Sequence, residues 1–226
     1  MITSKILKPF EVNAFGDINA TLVVPKGTRE AYKKTRGWTF PVIYEEGETI
    51  SDYAQKLTDE QGVCYTLTQD SDGSLYYSVT GYTDTMIEDI VIPADIEGCP
   101  VRSIKESVFR DVKKLTSIVL PNSISSIGNG AFSDCYSLTT ITIIPNSKGE
   151  LLIGNCAFAG CESLMSITIP KHVKGIDNYA FGECISLESI VYKGTKEEWS
   201  SLDKKLTWNN GIPATYVQCK DGHVGL

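Results

Sequence analysis

Four groups of side chains in this chain are of types that could do chemistry. The stretch Asp70-Ser71-Asp72-Gly73 has the composition of a calcium loop. An EF-hand loop with Gly73 at its sixth position needs an acidic first ligand and a glutamate at the twelfth. Thr68 and Val79 stand there instead, so the stretch reads as a tight turn. His172 and His223 are the only histidines, and no serine or cysteine lies in a nucleophile-elbow context. A triad therefore has little to draw on, and His172, where a loop leaves its strand, reads as a solvated loop histidine. Cys135, Cys161 and Cys184 could be metal ligands, yet the seven cysteines show no C-x-x-C spacing. Lys26, Arg29, Lys33, Lys34 and Arg36 form a basic cluster that could meet an acidic surface, and its simplest reading is a solvated helix face. No catalytic, cofactor or metal site emerges, so the chain reads as non-enzymatic.

The bulk properties narrow the partners. A formal net charge of -7 opposes general nucleic-acid binding, which needs clustered Lys and Arg to neutralise phosphates. The charge is uneven: residues 1–44 sum to +4 and the remainder to -11. No stretch approaches the ~18 apolar residues of a membrane span. The start, MITSKILKPF, has no apolar core long enough for a signal peptide.

The elements that hold these residues are written as a repeat. Phe109, Phe132, Phe158 and Phe181 follow one another at 23, 26 and 23 residues, and Leu115, Leu138, Leu164 and Leu187 step by the same intervals. Val108, Ala131, Ala157 and Ala180 precede each Phe, and Val112, Cys135, Cys161 and Cys184 follow three residues later. Each unit starts with an alternating strand such as LTSIVLP or LMSITIP, closed by a proline that cannot donate to a neighbouring ladder. A second extended piece ends in isoleucine, and GNGAFSDC reads as about one helical turn that brings the chain back. One unit buries too few apolar side chains to offset the entropy of ordering its residues, so units must stack. The cysteines then form one column with parallel Cβ vectors, a poor arrangement for zinc or disulfides and a good one for small buried side chains.

These residues resemble the BspA-like leucine-rich repeats of bacterial surface proteins, whose signature is I-P-x-x-V-x-x-I-G-x-x-A-F-x-x-C-x-S-L. IPKHVKGIDNYAFGECISL is the closest copy, and the likeness covers roughly 61–226. The resemblance implies an α/β, β-rich solenoid with short parallel strands and short helical turns. It also implies a secreted or surface-displayed protein of host-associated bacteria, used to contact other macromolecules and not as an enzyme.

Two further segments frame the array. VPKGTREAY (24–32) and VYKGTKEEW (191–199) share V-x-K-G-T-[RK]-E-x-[YW] at a constant offset of 167. In the second, Thr195 and Glu198 form a capping box, so a helix is expected to start at Thr195 and fold Trp199 onto the last repeat. The expected organisation is a cap segment over 1–45, resembling the tail of a preceding array, then a linker with a short helix over 46–60 (ETISDYAQKL, 48–57). The solenoid follows over 61–226, with a hairpin over 63–83, repeats over about 86–190 and a cap over 191–226. On this reading the chain is a piece of a longer protein.

Strand alternation then predicts an exposed face of two columns. One is Asp89, Ser117, Thr140, Ser166 and Ser189; the other is Val91, Val119, Thr142, Thr168 and Val191. The expected function is protein or glycan recognition through this face, extracellular or at the cell surface, with host adhesion as its narrower form and with no cofactor. The competing reading is a structural spacer that carries other domains.

Overall fold

The computed structural model describes residues 2–3, 21–24, 26–27, 29–33, 42–45, 57–83, 88–147 and 149–226. The chain forms two compact units. The first comprises residues 1–57, 66–77 and 95–100; the second comprises 58–65, 78–94 and 101–226.

In the first unit, Ile2–Thr3, Thr21–Val24 and Val42–Glu45 make a parallel sheet in chain order, with Leu22 opposite Ile43. The short helix Arg29–Lys33 follows a turn at Gly27, whose φ of +80° suits a residue without Cβ. Lys26 is exposed and Arg29 half-buried, while Lys34 and Arg36 lie outside the described residues. Asp70–Gly73 is a turn between the strands Val63–Gln69 and Leu75–Tyr82. The Gly73 N–H donates to Asp70 O at 3.0 Å, and Asp72 Oδ1 accepts from the Ser74 N–H at 2.8 Å. The carboxylate of Asp72 is thus engaged in local turn geometry. The helix expected over 48–57 lies outside the described residues except for Leu57, which is in the short strand Leu57–Thr58.

The second unit is the solenoid. Each coil contributes a strand to a first column: Asp89–Val91, Ser117–Leu120, Thr140–Ile143, Ser166–Ile169, Ser189–Tyr192 and Tyr216–Cys219. A second column takes in Cys99–Ile104, Ser126–Ile127, Leu151–Ile153, Val173–Ile176 and Asp203–Lys204, joined edge to edge in parallel. Ile118, Ile141, Ile167, Ile190 and Val217 all point inward and are buried, as are Leu120, Ile143, Ile169, Tyr192 and Cys219.

On the third side the phenylalanines form a column. Phe109, Phe132, Phe158 and Phe181 are all fully buried, with successive ring centroids 5.1, 5.2 and 5.4 Å apart and ring planes nearly parallel. Tyr82 extends the stack below Phe109 at 5.8 Å, and Trp208 closes it above Phe181 edge-on at 6.1 Å. Neither was visible in the Phe alignment, although each lies 27 residues from the nearest Phe of the repeat.

This third side is not helical, contrary to the expectation of short helical turns. It is a run of turns whose alternate N–H groups donate to the next coil: Phe109 to Ala131 O, Phe132 to Ala157 O and Phe158 to Ala180 O, each at 2.8 Å. Two residues per coil take positive φ, Gly130 and Asp134 in one coil and Tyr179 and Glu183 in another. A left-handed residue ends an α-helix after one turn and frees the donors for the neighbouring coil. The sequence signature carries no fixed glycine at these positions, so the interruption was not legible.

The helix Lys196–Ser201 has the capping box: Thr195 Oγ1 accepts from the Glu198 N–H, and Glu198 accepts from the Thr195 N–H. Trp199 is buried against Tyr192 and Trp208, with the Lys204 ammonium 4.7 Å from its ring centre.

Candidate binding face

Alternation along the first-column strands sets the two exposed columns. Ser117 lies opposite Asp89 and Thr140, and Val119 opposite Val91 and Thr142. Ser166 lies opposite Ser189, and Thr168 opposite Val191. Thr140, Thr142, Ser166, Thr168 and Ser189 are exposed; Ser117, Val119 and Val191 are half-buried. Asp89 accepts from the Ser117 hydroxyl at 2.6 Å and the Thr116 hydroxyl at 2.9 Å, which together hold its carboxyl below the usual range.

The face extends one strand further than the sequence reading placed it. In Tyr216–Cys219, Val217 pairs with Ile190 and is buried, so Tyr216 and Gln218 point outward. Gln218 continues the column of Val191. Tyr216 is 50% exposed and packs against the His223 ring at 5.1 Å. It adds an aromatic side chain to an otherwise hydroxyl-rich surface. No repeat Phe marks this strand, so spacing alone leaves it in the cap over 191–226.

The backbone under this face is not one continuous ladder. Asp89–Val91, Ser117–Leu120 and Thr140–Ile143 form one sheet; Ser166–Ile169, Ser189–Tyr192 and Tyr216–Cys219 belong to another, closed by the antiparallel strand Gly222–Gly225. The break falls at the 26-residue coil. Its extra length is spread out: one residue, Ile144, precedes Pro145, and the loop from Pro145 to Leu151 is longer, while Leu151 and Ile153 are one residue closer than the matching pair Ile124 and Ile127. That shortening forces a bulge, with Leu151 opposite Val173 but Leu152 opposite Gly175.

Beside the bulge lies a depression of about 680 Å³ at the ends of the first-column strands, bordered by Asn122, Asn146, Glu150, Lys171 and Lys174. His172 forms part of its wall and is buried at 6% exposure, which corrects the expectation of a solvated loop histidine. Its Nδ1 accepts from the Asn146 N–H at 3.3 Å, and its Nε2 has no hydrogen-bond partner among the described residues. Asn146, in the longer loop, reaches the ring, and its position could not be read from spacing alone. Burial lowers the affinity of His172 for protons. Between its depressed folded-state value and the ordinary value of ~6.5, the unfolded chain binds a proton that the folded chain refuses. Its contribution to stability is thus complete above about pH 6.5 and declines as pH falls below that value. Urea midpoints measured from pH 7.5 to 5 should fall more steeply for the native chain than for His172→Asn.

The cysteine column is hydrogen-bonded as well as packed. The thiols of Cys135, Cys161 and Cys184 donate to the carbonyls of Phe109, Phe132 and Phe158 at 3.0, 3.3 and 3.1 Å. Each thiol thereby ties its own coil to the one before. Burial pushes the Cys135 thiol up to about 12, and the Cys184 thiol together with burial raises Cys161. The Cys135 and Cys161 thiols are thus protonated at neutral pH, and all three are buried away from reagents. Iodoacetamide should leave all three unmodified in the native protein and label all three after denaturation without reductant. A disulfide between any two would contradict the packing.

The BspA type leucine-rich repeat region matches residues 80–202 in six copies. The chain belongs to the BspA-type leucine-rich repeat family. Its repeats therefore form a fold that generally serves as a protein-interaction module and is typically non-enzymatic. Among solved structures it is similar to a leucine rich cell surface protein of Faecalibacterium prausnitzii, at 23% identity and a TM-score of 0.51 over 81% of this chain and 48% of that one. It thus spans about half the length of that protein. A leucine-rich repeat protein of T. pallidum matches 73% of the chain and 86% of its own length, at 23% identity and a TM-score of 0.45. One of Bacteroides capillosus matches 73% and 98%, at 22% identity and 0.42. These likenesses concern the fold. No curated protein matches the sequence. Among the described residues, no helix is long and apolar enough to cross a membrane.

Proposed function

We propose that this BspA-type solenoid is a recognition module that holds an extended protein or glycan partner along its first-column strand face, outside the cell or at its surface. The observation that carries this reading is the pair of exposed columns, in register from Asp89 and Val91 to Thr140 and Thr142 in one sheet, and from Ser166 and Thr168 through Val191 to Gln218 in the other. Ser and Thr hydroxyls both donate and accept, so such a strip suits a partner that offers peptide or sugar polar groups at regular intervals. Affinity is then spread over many weak contacts, with Tyr216 as the one aromatic anchor of a kind that interfaces favour. Role in host adhesion is the narrower form of the same reading.

The segment over 1–45 is read as a second cap of the same design. Its motif places the helix Arg29–Lys33 after a strand and a Gly turn, as the later motif does for Lys196–Ser201.

The low charge of the face favours a second reading, a spacer that carries other domains. Panning the protein against a displayed peptide library and a glycan array separates the two. The recognition reading expects binders whose affinity for Thr142→Arg/Thr168→Arg is lost while the melting temperature is unchanged. Tyr216→Ala should weaken the same binders. Binders indifferent to all three substitutions would move recognition off the strand face, and a face that selects no binder would favour the spacer.

A further inference from the structure

Among the described residues the first-column sheet begins at Asp89–Val91, and a sheet that begins must have an edge. In parallel pairing, the N–H and C=O of one residue face the same neighbour and those of the next residue face the other side. The Ile92 N–H donates to Val119 O at 3.0 Å and Glu88 O accepts from the Ser117 N–H at 3.2 Å, so these even-numbered residues serve the following coil. Val91 therefore turns its N–H and C=O outward, where an added strand would bond.

Both groups are taken by one side chain. Gln61 Oε1 accepts from the Val91 N–H at 2.8 Å, and Gln61 Nε2 donates to Val91 O at 2.9 Å. A carboxamide carries the same donor and acceptor as a peptide group, so Gln61 stands in for one residue of a neighbouring strand. It is held there by a built turn. The second Nε2 hydrogen has Asp59 Oδ2 within 3.3 Å. That carboxylate is fixed by the Tyr65 hydroxyl at 2.7 Å and the Val63 N–H at 2.9 Å. Tyr65 is fully buried, so the turn is anchored in the core.

We propose that Gln61 is an edge plug: it occupies the backbone groups of Val91 and so keeps the edge of the first-column sheet from pairing with an extended segment of a second copy of this chain. Exposed, flat, apolar edges invite such pairing, and Val91 is itself 53% exposed. The plug acts without adding a charge to the edge. This inference does not rest on the recognition reading above.

Hydrogen exchange and sedimentation velocity on the full chain test it together. In the native protein the Val91 amide should be protected despite its edge position. In Gln61→Ala it should exchange roughly tenfold faster, as loss of one hydrogen bond requires. The variant should also sediment as concentration-dependent oligomers while the native chain stays monomeric. Gln61→Met, similar in length but unable to bond Val91, should behave alike and guards against misfolding of the alanine variant. A Val91 amide that exchanges freely in the native chain would overturn the proposal. Folded variants with an unprotected Val91 that remain monomeric would overturn it too.

Discussion

Replacing Phe158 with alanine should destabilise the solenoid by about 3–5 kcal/mol. The ring is fully buried and lies between Phe132 and Phe181 at 5.2 and 5.4 Å. Removing it opens a hole in the middle of the column, where neither neighbour can close down without breaking the 2.8 Å bonds that tie its coil to the coils on either side. Because repeat arrays are stabilised chiefly by nearest-neighbour interfaces, the damage should spread in both directions. A thermal or urea midpoint for the whole array should fall sharply. An unmoved midpoint would mean that the coils are not stacked in this register.

Trp199→Ala should cost a similar amount, about 3–5 kcal/mol, but its consequence should be local. Trp199 is 1% exposed and covers the last coil, in contact with Tyr192 and Trp208. Without it the terminal apolar face meets water, as an uncapped solenoid end would. Amides of Ser189–Tyr192 and Tyr216–Cys219 should lose hydrogen-exchange protection first, while those of Ser117–Leu120 keep theirs. Uniform loss across the array would show that the cap supports the whole fold and not its end.

The contrast between these substitutions follows from features the sequence makes plain. The Phe and Leu intervals set which side chains stack, and strand alternation set which of Ser117, Val119, Thr140, Thr142, Ser166, Thr168, Ser189 and Val191 face outward. Coils of constant length repeat one environment, so spacing translates directly into position. Legibility fails where the repeat changes. The 26-residue coil redistributes its extra residues on both sides of Pro145, and this buries His172 and interrupts the backbone ladder between Thr140–Ile143 and Ser166–Ile169. Left-handed positions such as Tyr179 and Glu183 are filled by residues with no special preference for them, so the third side could not be told from a helical turn. Tyr216 and Gln61 lie at the two ends of the array, where no repeat marks them.

The recognition claim is tested most directly by amide chemical-shift mapping of the isotopically labelled protein with the tightest ligand recovered from the peptide and glycan panning. Shifts concentrated on Thr140, Thr142, Ser166, Thr168 and Tyr216 are the predicted result. Shifts confined to Asn146, Glu150 and His172, with the strand face silent, would contradict it and assign binding to the loops at the strand ends.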